Sequence, residues 1–421
     1  MRSPFVVLLA LIFALVLVGL AALNSSILVL TIPLFAYLLA AVWDRPEALR
    51  LKVTREVFPD YAPQDTPINI RLTLINEGAA LDELVVRDVL PRGVTKSEGT
   101  TARVVTLPEG GSVEIEYTIE AQRGEYDRYE VQVYARDFLH FFEQAQSIRT
   151  SARLVIHPRY PKLDRIRIRP PQTRGFAGPI AARQGGVGID FWGVREYQAG
   201  DPQRQINWKL SARSESELFT TVFEQERVAD VGLIVDARER TNVSTGTDSL
   251  FEHSAKAAAA LAENFLDDGN RVSLLIYGSG ISRVFPGYGR LQHDRILKAL
   301  ARATPGFNYA LDSLTNLPTR LFPAKSQIVL ISALMPEDTP VIARMRANGY
   351  AVLVISPDPV AYEAALAGDP SGAATRLAQA ERTLMLRQLR QSGAQVVDWR
   401  VDQPLESIIR QAMAQQLRVG W

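Results

Sequence analysis

Residues 4–42 carry no charged side chain, and this constrains the start of the chain more than any other feature. As one continuous helix the run would measure about 58 Å at ~1.5 Å per residue, against a hydrocarbon core of ~30 Å. The triplet Asn24-Ser25-Ser26 divides it into two stretches, 5–23 and 27–42. The pattern predicts a transmembrane helical hairpin over residues 1–43 with a very short turn. Pro33 falls inside the second helix, where neighbouring helices can tolerate it. Arg2 precedes the first span, Arg45, Arg50, Lys52 and Arg55 follow the second, and the turn has no Lys or Arg. The positive-inside rule then predicts a two-span anchor in the cell inner (cytoplasmic) membrane, with the remaining body in the cytoplasm. A cleaved signal peptide is the competing reading. It fits less well, because the basic n-region is thin and a second apolar run follows at once.

The pattern then changes to period two. Ile68, Ile70, Leu72 and Leu74 alternate with Asn69, Arg71 and Thr73, and Val113, Ile115, Tyr117 and Ile119 alternate with polar residues. Such alternation buries one face of a strand and wets the other. Turn signals at Asn76-Glu77-Gly78, Pro91-Arg92-Gly93 and Glu109-Gly110-Gly111 separate the runs. Residues 44–157 are therefore expected to form an antiparallel β-sandwich, immunoglobulin-like in type, serving as a spacer or docking module. Residues 158–192, rich in Arg, Pro and Gly, read as a basic extended connector.

Composition narrows the function. Forty-seven basic residues against 46 acidic ones leave a net charge of +1, which gives no support to nucleic-acid binding. The chain has no cysteine, so disulfides, thiolate nucleophiles and Cys-ligated metals are excluded. Its four histidines, His140, His157, His253 and His293, show no paired metal spacing.

Residues 193–421 comprise a signature segment and then an alternation of apolar runs with amphipathic stretches. The candidate strands are 231–235, 272–277, 328–331, 351–355 and 395–399, and the candidate helices are 249–267, 291–302, 338–348, 373–392 and 404–418. Unbroken apolar strands separated by helices imply an α/β doubly wound parallel sheet, with 281–285 as an antiparallel edge. This order resembles the von Willebrand factor A fold. Ligands of such sheets bind beyond the carboxyl ends of the strands, and in that family the crest usually holds a metal ion through an Asp-x-Ser-x-Ser run. Here the run reads Asp236-Ala237-Arg238-Glu239-Arg240, and the fourth strand ends at Ile331-Ser332-Ala333. Arginine stands at both serine positions and brings positive charge where a dication would sit. The crest at Asp236, Arg238, Arg240 and Ser332 is thus read as degenerate, with no bound metal and with Asp236 capping the next element or pairing with an arginine.

The segment "GVREYQAGDPQRQINWKLSARSESELFTTVFEQER", residues 193–227, combines charged, aromatic and helix-capping residues at high density. Asp201-Pro202 reads as a helix start, with helical turns from Gln203 to Arg213 and a strand over 218–226. Its charges are expected to form a buried or half-buried ion-pair network. The wording resembles the domain of unknown function 58 family through Arg195, Glu196, Tyr197, Gly200, Asp201, Arg204, Ile206, Trp208, Ser211, Ala212 and Arg213. Asn207 departs from the aspartate usual there. The stretches "RDFLHFF" (136–142) and "LVIHPRYPKL" (154–163) are similar to family wording too. The resemblance implies a bacterial or archaeal membrane protein that accompanies a MoxR-type AAA+ ATPase and a transglutaminase-like membrane protein. Lys209, Glu224 and Glu226 complete the expected interaction set. The expected function is a non-enzymatic adaptor, without cofactors, working with that ATPase in complex assembly or envelope stress. Two other readings stay open: an outward-facing, metal-dependent adhesion protein, and an enzyme using Glu196, Asp201, Glu224 and Glu226 as acid and base.

Overall fold

The computed structural model describes residues 3–43, 49–136, 143–164, 166, 180–214, 217–246, 248–368 and 372–419. Within these, the side chains of residues 3–5, 41–43, 180–190, 192, 223–227 and 413–419 lie outside the description. The chain divides into two compact units, Met1–His157 and Pro158–Trp421.

The first unit opens with helices Ser3–Ala21 and Ser25–Trp43. Ile12 and Leu38 are buried between them, and Asn24 Oδ1 accepts from the Ser26 amide at the turn. Among the described residues no helix is long and apolar enough to cross a membrane. Each of the two helices has 19 residues, about 28 Å at ~1.5 Å per residue and short of a ~30 Å core. This corrects the expected transmembrane hairpin, and the two-span inner-membrane anchor falls with it. So does the cytoplasmic placement drawn from its flanking charges. The absence of charge was read as a span, but it measured apolarity without measuring the length of placed helix.

The remainder of this unit is two antiparallel sheets. One runs Leu51–Phe58, Ile68–Asn76, Ser112–Ala121, Val94–Gly99 in spatial order; the other runs Tyr61–Pro63, Glu143–His157, Gly124–Arg136, Leu81–Val89, Ala102–Leu107. Only the short Tyr61–Pro63 pairing is parallel. Ile68, Ile70, Leu72 and Leu74 from the first sheet pack with Leu84, Val86, Val131 and Val133 from the second in one core. A charged centre lies in that core. Arg55 donates to Asp88 at 2.5 Å, to the Tyr117 hydroxyl at 3.1 Å and to Thr150 at 3.2 Å. Its guanidinium stacks 4.3 Å from the Tyr129 ring centroid, and Tyr117 also donates to Asp88. Each nitrogen of the Arg55 guanidinium thus meets an acceptor, as a buried charge requires.

The second unit is built on a six-stranded sheet, whose strands we number β1 (Asp230–Ala237), β2 (Arg271–Gly278), β3 (Ile281–Gly287), β4 (Gln327–Ile331), β5 (Ala351–Pro357) and β6 (Gln395–Trp399). The spatial order is β3-β2-β1-β4-β5-β6. All neighbours are parallel except β2 and β3. Alternate residues of β1 feed two cores. Val231, Leu233 and Val235 pack with helices Leu250–Asp267, Gly289–Arg302 and Leu405–Val419, and Ile234 packs on the other face with Thr339–Ala347 and Ala373–Gln391. Burial on both faces explains why β1 shows no polar alternation. Gly232 is required on that second face, because a Cβ there would lie 2.4 Å from the Phe322 ring. Leu163 and Ile166 also enter this unit's core, and Asn264 holds the backbone of Leu163, Asp164 and Ile166. A strand Ile180–Glu196 pairs antiparallel with Phe219–Arg227. Both the start and the end of the expected connector are therefore structured.

Candidate functional site

The strand order turns back between β1 and β4, and in open sheets of this order the crevice for a ligand lies there, beyond the strand carboxyl ends. Arg238 fills it. It follows β1 immediately, is 1% exposed, and lies between two aspartates. Nε and Nη2 donate to the two oxygens of Asp236 at 2.9 and 2.8 Å, and Nη1 and Nη2 donate to the two oxygens of Asp338 at 3.1 and 2.7 Å. Nη1 also donates to the Asp312 carbonyl at 3.1 Å. Ser332, at the exit of β4, donates to Asp236 at 2.5 Å. The Met335 amide donates to Asp338 at 2.9 Å and closes a turn after β4. Burial alone disfavours the charged guanidinium, but its hydrogen bonds to Asp236 and Asp338 outweigh that and hold its pKa above the ordinary arginine value. Arg240, the second arginine of the run, lies further out and bridges Asp312 at 3.1 Å and Glu337 at 2.7 Å.

These donors do not fit a resident dication. A hard ion needs several oxygen ligands free to turn toward it, whereas both oxygens of Asp236 and both of Asp338 are already engaged by one guanidinium. Asp236 is thus paired with an arginine and also accepts from the Arg238 amide at 3.0 Å.

A second buried arginine lies along the same crest. Arg382 comes from the helix Ala373–Gln391 and reaches the ends of β5 and β6. Nη1 donates to the Ala333 carbonyl at 3.1 Å, and Nη2 donates to the Ser356 carbonyl at 3.0 Å and to Asp398 at 2.7 Å. Its Nε is 3.4 Å from Asp358 without hydrogen-bond alignment, so that contact is Coulombic. Asp358 in turn caps the helix Pro359–Ala367 by accepting from the amides of Val360 and Ala361. The exit of β4, Ser332-Ala333-Leu334, is therefore fastened by Arg382 at the Ala333 carbonyl and through Asp236 at the Ser332 hydroxyl, with Leu334 in the left-handed region at φ 66°.

The signature segment behaves differently. Expected as a buried or half-buried ion-pair network, it is largely exposed. Arg195 donates to Asp201 at 2.7 Å, and Asp201 also accepts from the Gln198 amide at 3.0 Å. These two contacts draw the Asp201 carboxyl below its ordinary pKa and, through Asp201, raise that of Arg195. Among the described residues, Arg204, Lys209 and Arg213 form no ion pair, and all three are exposed, as is Glu196. Trp208 is 66% exposed. The expected helix from Gln203 to Arg213 is a single 3-10 turn, Gln203–Gln205, followed by a four-residue helix, Trp208–Ser211. Asp201 does not cap it, since its oxygens are taken by Arg195 and Gln198. Asn207 is the cap, accepting from the Leu210 amide at 3.1 Å. The segment is stapled to the strand Phe219–Arg227 instead. Tyr197 N donates to Leu218 O, Asn207 N donates to Phe219 O, and the buried Ser211 hydroxyl accepts from the Phe219 amide. Gly200, at φ 113°, turns the chain where a side chain would be strained. Glu224 and Glu226 lie on that strand, with side chains outside the described residues, as are residues 137–142 of the "RDFLHFF" stretch.

Sequence reasoning placed Asp236, Arg238, Arg240 and Ser332 at the crest, and the structure brings them together. It missed Asp312, Asp338, Asp358, Arg382 and Asp398. Asp338 had a legible signal: it stands six residues after Ser332 in Met335-Pro336-Glu337-Asp338, a turn whose chain reversal returns a carboxylate to the crest.

Known proteins resemble this chain in part. It is 26% identical over 267 residues to the uncharacterized protein YeaD of Bacillus subtilis (strain 168), covering 61% of this chain and 63% of YeaD. It spans less than two thirds of that relative's length. Among solved structures it is similar to a FixG-related protein from Vibrio parahaemolyticus, with 12% identity and a TM-score of 0.17, covering 25% of this chain and 95% of that one. It is also similar to the ASH/PapD-like domain of human CEP192, with 10% identity and a TM-score of 0.19, covering 27% and 89%. At residues 193–366, from the first residue of the signature segment through the crest, the chain matches the model of a family described as protein of unknown function DUF58.

Proposed function

We propose that the chain is a non-enzymatic adaptor that presents its signature segment to a protein partner, a MoxR-type AAA+ ATPase, from a rigid sheet of von Willebrand factor A-like order. The observation that carries this reading is Trp208, 66% exposed and accompanied by the exposed cations Arg204, Lys209 and Arg213. Exposed tryptophan with arginine is the composition of interface hot spots, and a cationic rim favours an acidic partner surface. The backbone staples to Phe219–Arg227 support the same reading, because they hold the segment in shape without using those side chains. Glu196 and Asp201 have the residue type for acid–base work. Asp201, however, is occupied by Arg195 and Gln198, and its lowered pKa opposes proton uptake near neutrality.

The test is binding to the purified ATPase encoded in the same genome, measured by interferometry. Trp208→Ala and the pair Arg204→Ala/Arg213→Ala are expected to weaken binding by about tenfold or more. Their melting temperatures should stay within about 2 °C of wild type, as for surface substitutions. Absence of binding by the wild-type chain overturns the proposal. Equal loss of stability and binding would make the segment a fold staple instead.

A further inference from the structure

We infer that Arg238 is the crest's own built-in cation: its guanidinium occupies the position a divalent ion would take between Asp236, Asp338 and the Asp312 carbonyl, and its removal opens a divalent-cation site there. The inference is independent of the adaptor reading, since it concerns the sheet's carboxyl edge and not the signature segment. Four observations carry it. All five donor contacts of the guanidinium go to hard oxygens: two carboxylates, each through both of its oxygens, and one backbone carbonyl. A fourth oxygen group, the Ser332 hydroxyl, is already bonded to Asp236 at 2.5 Å and lies within the same cluster. The two carboxylates face no other described cation, because Arg240 is spent on the Asp312 side chain and Glu337, and Arg382 on Asp358 and Asp398. The seat is also built rather than incidental: the Asp236, Arg238 and Asp338 side chains are at most 1% exposed, and Asp338 is positioned by the Met335 amide.

An arginine attached through the chain differs from an ion in one respect. It cannot dissociate, so loops from three places in the sequence, at 236–241, 312 and 332–338, are drawn together at any divalent concentration. Truncating Arg238 leaves two buried carboxylates, a carbonyl and a hydroxyl around a cavity the size of the lost guanidinium. That is a hard-oxygen donor set suited to magnesium, manganese or calcium. Two uncompensated buried carboxylates have strong reason to take up such an ion.

The experiment compares wild type, Arg238→Ala, Arg238→Lys and the double variant Arg238→Ala/Asp338→Asn, each with EDTA or with millimolar manganese. The readouts are melting temperature and calorimetric titration with manganese alone. The wild-type melting temperature is expected to be the same in both conditions. Arg238→Ala should melt several degrees lower in EDTA, recover at least half the loss with manganese, and bind manganese at least about tenfold more tightly than wild type. Arg238→Lys keeps a cation in the seat and should ignore manganese, and the double variant should lose the recovery. If Arg238→Ala does not fold in EDTA, it should refold when manganese is present. The inference is overturned if wild type binds manganese as tightly as Arg238→Ala. It is equally overturned if Arg238→Ala neither binds manganese nor regains stability or fold in its presence.

Discussion

Arginine is among the most expensive side chains to bury, and among the described residues three are buried: Arg55 in the sandwich, Arg238 and Arg382 at the sheet crest. In each case carboxylates and backbone or hydroxyl oxygens surround the guanidinium, with the Nε of Arg382 left in charge contact alone, and a nearby carboxylate is the condition under which a buried charge is tolerated. Two of the charges were legible. Arg55 falls in phase with Leu51, Val53 and Val57 on the inward side of its strand, and Asp88 falls in phase with Leu84 and Val86 on its own. A cation and an anion that both point inward from neighbouring layers predict one another. Arg382 had no such signal, because its partners arrive from β5, β6 and the turn after β4, which only the tertiary fold assembles. The Arg55 centre also gives a pH prediction. Burial pushes the Tyr129 hydroxyl up to about 12 from an ordinary value near 10. The folded state therefore favours the neutral phenol. Its contribution is complete below about pH 10, where the unfolded tyrosine is protonated too, and is lost as pH rises toward 12; it amounts to roughly 2–3 kcal/mol. Urea midpoints measured across that interval should fall, and Tyr129→Phe should flatten the fall.

At the level of elements, the chain offers the same dipeptide twice with opposite results. Asp358-Pro359 starts a helix: the carboxylate accepts from Val360 and Ala361, and Gly368 at φ 68° ends the helix nine residues later, after VAYEAALA. Asp201-Pro202 starts only a 3-10 turn. The stretch after it, QRQINWKL, places Asn207 where a second turn should continue, and Asn207 begins a new cap instead. The dipeptide supplies the cap and the fixed φ, but only the residues after it supply a reason to propagate. Sequence reading erred both ways here, placing a helix after Asp201 and overlooking the one after Asp358. The two positions also predict different stabilities. Asp358→Ala removes a cap and leaves the buried Arg382 short of a counter-charge, so denaturant unfolding should show a loss of about 3–5 kcal/mol. Asp201→Ala releases a solvent-screened contact and should leave the same measurement close to wild type.

On the scale of the whole molecule, the sandwich of the first unit packs around one apolar core with Arg55 buried in it, and the sheet of the second has a core on each face with Arg238 and Arg382 buried at its crest. The units differ in how much of their design the sequence displays. Period-two alternation marks the strands of the first, and unbroken apolar runs mark β1, β2, β4 and β5 of the second, because both faces of that sheet are covered. The charge-free start was the least faithful guide, since apolarity by itself does not fix the length of the element that bears it. One feature of the second unit bears on its motions. In the helix Leu250–Asp267, Ala257, Ala258, Ala259, Ala260, Leu261 and Ala262 are all at most 2% exposed. Sheet, neighbouring helices and the residues Leu163 and Ile166, fastened by Asn264, pack against it. With residues 257–262 covered all round, their amide protons can trade with solvent only when the whole unit opens. Mass-spectrometric deuterium uptake should find 257–262 and β1 last to label, together and at one rate, providing a clock for the complete unfolding of residues 158–421.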